Sequence, residues 1–196
     1  MTSAEHKCRL LIGGVLTVLA LTGCTPQGGP QVVPAGNQVP LQEVPCEATG
    51  TAARPPALKV TASGPYTVEK VVDGDTIRIS CNGTSTRVRL VGINAPESVK
   101  EDAPVECGGP EASTYLHELL DGQQVFLSAD PAQGVRDKYD RLLAYLWTPD
   151  GTLVNKSIVE QGHAEASGYG KSFAYSEDFT AAADQARKSK AGRWNC

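Results

Sequence analysis

Two aspartates separated by one glycine sit inside a short β-branched run, Val71-Val72-Asp73-Gly74-Asp75-Thr76-Ile77-Arg78-Ile79, where costly polarity is more concentrated than anywhere else in the chain. Val71, Val72, Ile77 and Ile79 favour a pleated, half-buried surface. Two carboxylates this close repel each other unless a cation or a guanidinium lies beside them. Taken alone, Asp-Gly is also the ordinary signal of a hairpin turn. Two further segments supply candidate partners. From Arg87 to Glu97, alternation places Arg87, Arg89, Val91 and Ile93 on one strand face and Val88 and Leu90 on the other. Pro96 then stops the strand between Asn94 and Glu97. From Arg136 to Trp147, a charged turn leads into a strand that opens at Arg141. Each residue has a plain structural reading: Arg89 pairing with a barrel carboxylate, Glu97 as a solvated loop acid, Arg141 flanking a hairpin. Jointly, two inward arginines and three acids in one barrel are hard to justify energetically, because unpaired buried charge is expensive.

The segments Asp73–Thr76, Arg89–Glu97 and Asp137–Tyr145 resemble, in order and spacing, the signature of the staphylococcal-nuclease-like (thermonuclease) family, and the likeness runs from about Tyr66 to Trp194. The resemblance implies an α+β, mainly β fold, a five-stranded Greek-key barrel of the OB type with three helices. It also implies calcium-dependent hydrolysis of phosphodiester bonds in DNA, with RNA left open. On that reading Asp75, the Asn94 amide oxygen and the Ala95 carbonyl would bind Ca2+, a mixed oxygen set that calcium tolerates. Glu97 would position and deprotonate the attacking water. Arg89 and Arg141 would clamp phosphate oxygens bidentately, which lysine does less well. Asp73 and Thr76 would orient the metal ligands. Lys138 and Tyr139 stand where the family holds the terminal phosphate and adjoining nucleotide. The chain departs from the best-known members in two places: Asn94 and Ala95 replace aspartate and threonine, and Gly168-Tyr169-Gly170 offers one tyrosine where two are common. The first predicts weaker calcium binding, the second less base stacking by Tyr169.

Strands are expected at Tyr66–Val72, Asp75–Cys81, Thr86–Asn94, Gln124–Ser128 and Leu142–Trp147, the second and third joined by an Asn82-Gly83 hairpin. Helices are expected at Glu111–Leu120, with Pro110 at its first position, at Leu153–Gln161, and at about Glu177–Lys190. The charged loop Ser98–Gly109 reads as solvated, His117 as a helix surface or packing residue, and Trp147 and Trp194 as packing residues.

The 196 residues allow one domain and a tail. Lys7 and Arg9 precede an apolar run, Leu10–Leu21, too short to span a bilayer permanently but suited to a signal-peptide core. Leu21-Thr22-Gly23-Cys24 resembles a bacterial lipobox, which implies a signal over 1–23, lipidation of Cys24 and anchorage outside the cytoplasmic membrane. Residues 24–63, rich in Pro and Gly, read as a flexible spacer, and 64–196 as the nuclease domain, a monomer. Cys46, Cys81, Cys107 and Cys196 suggest two disulfides in an exported chain, with three possible connectivities; the pairing favoured here is Cys46–Cys81 and Cys107–Cys196. From residue 62 onward, 14 basic residues face 19 acidic ones. That balance argues against tight non-specific binding of long duplex, though it leaves a local cationic pocket open; the expected substrate is single-stranded or frayed DNA. It also keeps in play a second reading, an OB-fold module that binds nucleic acid or protein without hydrolysis.

Overall fold

The alternation of buried and exposed residues is realised as a closed barrel. A computed structural model describes residues 41–43, 56–98 and 105–196. Its strands are β1 (Gln42–Glu43), β2 (Ser63–Asp73), β3 (Thr76–Cys81), β4 (Thr84–Leu90), β5 (Ile93–Asn94), β6 (Gln124–Ala129), β7 (Leu142–Trp147) and β8 (Glu165–Ala166). The helices are α1 (Gly109–Leu120), α2 (Val154–Glu160) and α3 (Ser176–Ser189), with a 3-10 turn at Gly192–Asn195. Strands run in the order β6-β2-β3-β4-β7, and β6 pairs again with β7 to close the ring. All of these pairings are antiparallel except β4 with β7. This is the five-stranded barrel with three helices that the sequence implied.

Local chemistry explains the turns. Asn82 and Gly83, at φ of 50° and 75°, connect β3 to β4, as an Asn-Gly hairpin requires. The β2–β3 turn uses glycine differently: a Cβ on Gly74 would lie 2.7 Å from the Ala95 Cβ and 2.8 Å from the Ala112 Cβ. Gly74 is there so that α1 and the Ala95 segment can approach the turn closely.

The interior of the barrel is aliphatic, with Val68, Val71, Ile77, Ile79, Val88, Leu90, Val125, Leu127, Leu142, Ala144 and Leu146 all buried. β7 is buried on both faces, because Tyr145 and Trp147 pack against Tyr175 at ring-centroid distances of 4.8 and 6.0 Å. Tyr145 also meets Phe179 of α3. Ala112, Leu116 and Leu120 form the buried stripe of α1, at the i, i+4 spacing of one helical face.

Two buried polar side chains tie these layers together. Asp130 accepts hydrogen bonds from the Tyr145 hydroxyl (2.8 Å), the Ala174 N–H (2.8 Å) and the Ala132 N–H (2.9 Å). Burial, followed by that bond to Asp130, pushes the Tyr145 phenol well above its ordinary pKa. Asn155 accepts from the Leu146 N–H (2.8 Å) and donates to the carbonyls of Val91 (2.9 Å) and Ala144 (3.3 Å).

The structure departs from the sequence reading in three places. The strand expected over Thr86–Asn94 ends at Leu90; Gly92, at φ 79°, breaks it, and Ile93–Asn94 pairs with β8 instead. A Cβ on Gly92 would collide with Phe173 and Phe179 within 3 Å, so the break admits Phe179 of α3 and Phe173 just before it. The folded unit also reaches upstream of the expected boundary at residue 64: Leu58 is buried, the Thr61 carbonyl accepts from the Ser128 hydroxyl at 2.6 Å, and β1 pairs with β6. Apolar side chains in the Pro-rich stretch find core to cover there. Glu106, in the loop read as solvated, is bonded to the backbone of Glu97.

Cys107 and Cys196 are disulfide-bonded across a sequence separation of 89. Cross-links of that span typically add about 3–5 kcal/mol. Cys81 is also disulfide-bonded, but the Cys46 assigned to it lies outside the described residues, as do the signal region and Cys24.

Asn155→Ala would leave the Leu146 N–H and the Val91 carbonyl without this buried partner, while the Ala144 carbonyl keeps its bond from the Val91 N–H. It is expected to cost about 2–4 kcal/mol, read as a lower urea midpoint at unchanged m-value; a loss under about 0.5 kcal/mol would contradict the role given to Asn155.

Candidate active site

Four connections converge on one end of the barrel. The β2–β3 turn brings Asp73 and Asp75, β4 and the chain after it bring Arg89 and Asn94–Glu97, the β6–β7 loop brings Arg141, and the segment after β8 brings Tyr169. Asp73, Asp75, Arg89, Asn94, Ala95, Pro96, Glu97, Arg141 and Tyr169 line a single pocket of about 170 Å³.

Asp75 is the most constrained group in it. The Asp73 carboxylate accepts from the Asp75 N–H at 3.0 Å and so fixes the turn. The Thr76 hydroxyl donates to Asp75 Oδ1 at 3.0 Å. Asp75 Oδ2 accepts from the Ala95 N–H at 3.1 Å and pairs with Arg89 Nη2 at 2.9 Å. Both side chains are buried, Asp75 being 7 % and Arg89 6 % exposed. Burial pushes the Asp75 carboxyl up from 3.8 to about 6; Arg89 opposes this, Asp73 adds to it, and the bonds from Ala95 and Thr76 pull it back.

The guanidinium of Arg89 is held along two edges. Nη1 donates to the Leu90 carbonyl at 2.6 Å, and Nη2 to the Ile93 carbonyl at 2.9 Å and to the Tyr169 hydroxyl. The second arginine is oriented by its own loop. Asp137 Oδ2 accepts from Arg141 Nε at 2.6 Å, and Asp137 Oδ1 accepts from the backbone N–H groups of Arg141 and Tyr139, each at 2.9 Å. Burial tends to raise the Asp137 carboxyl, but these bonds outweigh it and hold the group below its ordinary value. Arg141 Nη1 also reaches the Thr76 hydroxyl at 3.4 Å. The two guanidiniums are thus linked through Thr76 and Asp75.

The residues singled out in the sequence are placed as follows. Asp73, Asp75, Arg89, Asn94, Ala95, Glu97, Arg141 and Tyr169 share the pocket, and Thr76 lies directly behind it. Lys138 and Tyr139 are not among its lining residues. Tyr139 is 58 % exposed, with its ring 5.5 Å from the Arg141 guanidinium and 5.0 Å from Lys138 Nζ. Arg87, assigned to the same strand face as Arg89, is exposed and donates to the Tyr139 carbonyl at 3.1 Å.

Tyr169 does more than the stacking expected of it. Its hydroxyl donates to Asn94 Oδ1 at 2.7 Å while accepting from Arg89, and its ring lies 5.5 Å from the Arg89 guanidinium carbon. A tyrosine between two glycines gives no sign of such a bridge in the sequence. Asp137 was detectable as an acid four residues before an arginine, but read only as part of a charged turn.

Among the described residues, no group of three or more His, Cys, Asp or Glu is arranged to hold a metal ion. A metal here would depend on a mixed set: a carboxylate, an amide oxygen and a backbone carbonyl. Those are hard oxygen donors, which fit calcium and not a thiophilic or imidazole-seeking ion. Asp75 Oδ1, with one bond from Thr76, keeps acceptor capacity for it.

The raised Asp75 pKa has a stability consequence. Between pH 3.8 and about 6 the folded protein binds more protons at Asp75 than the unfolded chain does. The contribution of Asp75 to stability is therefore fully present below pH 4 and is lost as pH rises through about 6. In chelator-treated protein, the stability difference between the unmodified chain and Asp75→Asn should shift against the unmodified chain from pH 4 to pH 6.5. Urea melts in which that difference stays constant would contradict the assignment.

Comparison with known proteins agrees with this geometry. Residues 87–196 match the family described as Staphylococcal nuclease homologue. The chain is 35% identical to the Thermonuclease of Staphylococcus hyicus over 130 residues, 66% of this chain and 75% of that protein. It is 37% identical to the Thermonuclease of Staphylococcus intermedius over 129 residues, again 66% and 75%. With the SPbeta prophage-derived endonuclease YokF of Bacillus subtilis it shares 34% identity over 130 residues, 66% of this chain and 43% of that protein. With its closed barrel, its polar pocket and these relatives, the chain belongs to the staphylococcal nuclease homologue family.

Proposed function

We propose that the nuclease activity which family membership gives this chain is calcium-dependent hydrolysis of phosphodiester bonds in single-stranded or frayed DNA, with RNA left open as a substrate. The observation that carries the reading is the convergence of Arg89, Arg141, Glu97, Asp75, Asn94 and Ala95 on one pocket. A phosphodiester is anionic and a poor electrophile, so its hydrolysis depends on positioning and on neutralising charge. Arg89 and Arg141 supply N–H donors to non-bridging oxygens, and their orientations are set beforehand by Asp75 and Asp137. Glu97 accepts the proton of the attacking water, whose oxygen forms the new bond to phosphorus. As that bond forms, the ester bond from phosphorus to the leaving oxygen breaks; the charge developing on that oxygen is met by guanidinium donors, and it takes its proton from solvent water. Asp75, the Asn94 amide and the Ala95 carbonyl would hold calcium, which supplies further positive charge beside the phosphate. Asp73 and Thr76 fix Asp75, and Lys138 and Tyr139 extend the binding surface from the Arg141 loop.

A non-catalytic module that binds nucleic acid or protein remains the competing reading; the excess of acidic residues from residue 62 onward counts against its nucleic-acid form, since such binders commonly carry a basic footprint. The presence of Glu97 beside two arginines favours catalysis, since a binder gains nothing from an acid facing a bound anion. The lipobox-like Leu21–Cys24 and the Pro-rich stretch after it support an extracytoplasmic protein tethered through lipid on Cys24. Among the described residues, no helix is long and apolar enough to cross a membrane.

Cleavage of single-stranded DNA is expected with calcium and not with chelator, and Glu97→Ala should lower the rate by at least about 10²-fold. A calcium-saturated, folded protein that leaves DNA intact would establish the binding module instead. Titration calorimetry should show tighter calcium binding in Asn94→Asp, since affinity follows ligand charge. For the unmodified chain, apparent affinity should fall by about tenfold per pH unit below the Asp75 pKa of about 6. A flat profile would remove Asp75 from the ligand set.

A further inference from the structure

Glu97 follows a proline and precedes a charged loop, a context that by itself leaves a side chain poorly placed. The structure restrains it from the other side of the loop. The Glu97 N–H donates to the Glu106 carboxylate at 3.2 Å, and the Glu106 N–H donates back to the Glu97 carbonyl at 3.0 Å. Both backbone groups of Glu97 are therefore committed to one residue. The first residue of α1 closes the clamp: a Cβ on Gly109 would lie 2.6 Å from the Glu97 carbonyl oxygen, so only glycine lets the helix start against it.

The clamp is fastened covalently one residue further on. Cys107 is bonded to Cys196, next to the Gly192–Asn195 turn. Gly108, at φ 84°, packs so closely on that turn that a Cβ would be 2.8 Å from the Arg193 Cβ. Arg193 in turn donates its N–H to the Gly162 carbonyl and pairs with Glu165 at 3.4 Å. Glu165 is the register partner of Asn94. A continuous path thus runs from Glu97 through Glu106, the disulfide and Arg193 to the strand carrying Asn94.

We infer that Glu106 is a positioning residue for Glu97 and that the Cys107–Cys196 disulfide, by holding Glu106 in place, makes the activity of this pocket depend on an oxidised cross-link. The inference rests on the nuclease reading for its effect on rate, though not for its effect on structure. A misplacement of about 1 Å at a catalytic group is enough to cost about 10²-fold in rate.

The test compares the unmodified full chain with Glu106→Ala, Glu106→Gln and the pair Cys107→Ser with Cys196→Ser, on a single-stranded oligonucleotide with calcium, well below each melting temperature. Glu106→Ala and the serine pair should lower kcat by about 10- to 100-fold with KM within about twofold. Glu106→Gln, which keeps a side-chain oxygen for the Glu97 N–H, should recover activity to within about threefold. Amide hydrogen exchange gives a readout independent of cleavage: Glu97 should lose protection in Glu106→Ala and in the serine pair, and keep it in Glu106→Gln. Absence of cleavage by the unmodified chain would defeat the nuclease reading, and the exchange result would still decide the clamp. A folded Glu106→Ala protein with unchanged Glu97 protection, or with unchanged kcat where the unmodified chain cleaves, overturns the inference.

Discussion

A buried ion pair, Asp75 with Arg89, is the constraint on which the rest of the pocket depends. Taking two charges out of water costs several kcal/mol for each, and mutual attraction repays this only when the remaining lone pairs and protons are also satisfied. Here they are. Asp75 takes bonds from Thr76 and the Ala95 N–H besides Arg89, and Arg89 gives bonds to two backbone carbonyls and Tyr169. Each of those partners belongs to a segment that must arrive at the end of the barrel in register. The pair therefore acts less as a stabilising contact than as a specification of which loops meet, and where.

The fold meets that specification with close backbone approach and not with bulk. Gly74 lets Ala112 of α1 and Ala95 touch the β2–β3 turn. Asn155 ties α2 to the Val91 carbonyl, just before the chain bends toward Asn94. Asp130 holds Ala174, and with it the end of the segment that presents Tyr169. The aliphatic interior supplies cohesion, which is non-directional; these few polar anchors convert it into angles and distances.

What was legible in the sequence follows from the same division. The barrel strands could be read because Ile77, Ile79, Val88 and Leu90 alternate with exposed positions and Asn82-Gly83 marks its own hairpin. Asp75, Arg89, Glu97 and Arg141 stood out only as a set, through three segments whose order and spacing resemble the family; each alone had a plain structural reading. The break at Gly92 was invisible, since its cause is contact with Phe173 and Phe179, some eighty residues away. Asp130 and Asn155 carry no local mark in the sequence for the same reason: Asn155 meets Val91 across 64 positions. Glu106 lay in a run of charges, where solvation is the usual explanation, and only geometry separates the one acid that bonds Glu97 from its neighbours. Local pattern reports which face a residue prefers; long-range polar partners leave no periodic trace.

Asn94 shows how these constraints limit what the pocket can be. Its amide oxygen accepts the Tyr169 hydroxyl, and Tyr169 in turn accepts from Arg89, so one phenol couples Asn94 to the Arg89 guanidinium. An aspartate at 94 could accept the same bond but would add an anion to a pocket already lined by Asp73, Asp75 and Glu97. Asp75 is held near pH 6 by burial even with Arg89 beside it, and Asp73 already pushes in the same direction. A further negative charge would raise it again unless a cation were bound. The neutral amide thus spares the Asp75–Arg89 pair a further negative neighbour while still accepting the Tyr169 hydroxyl.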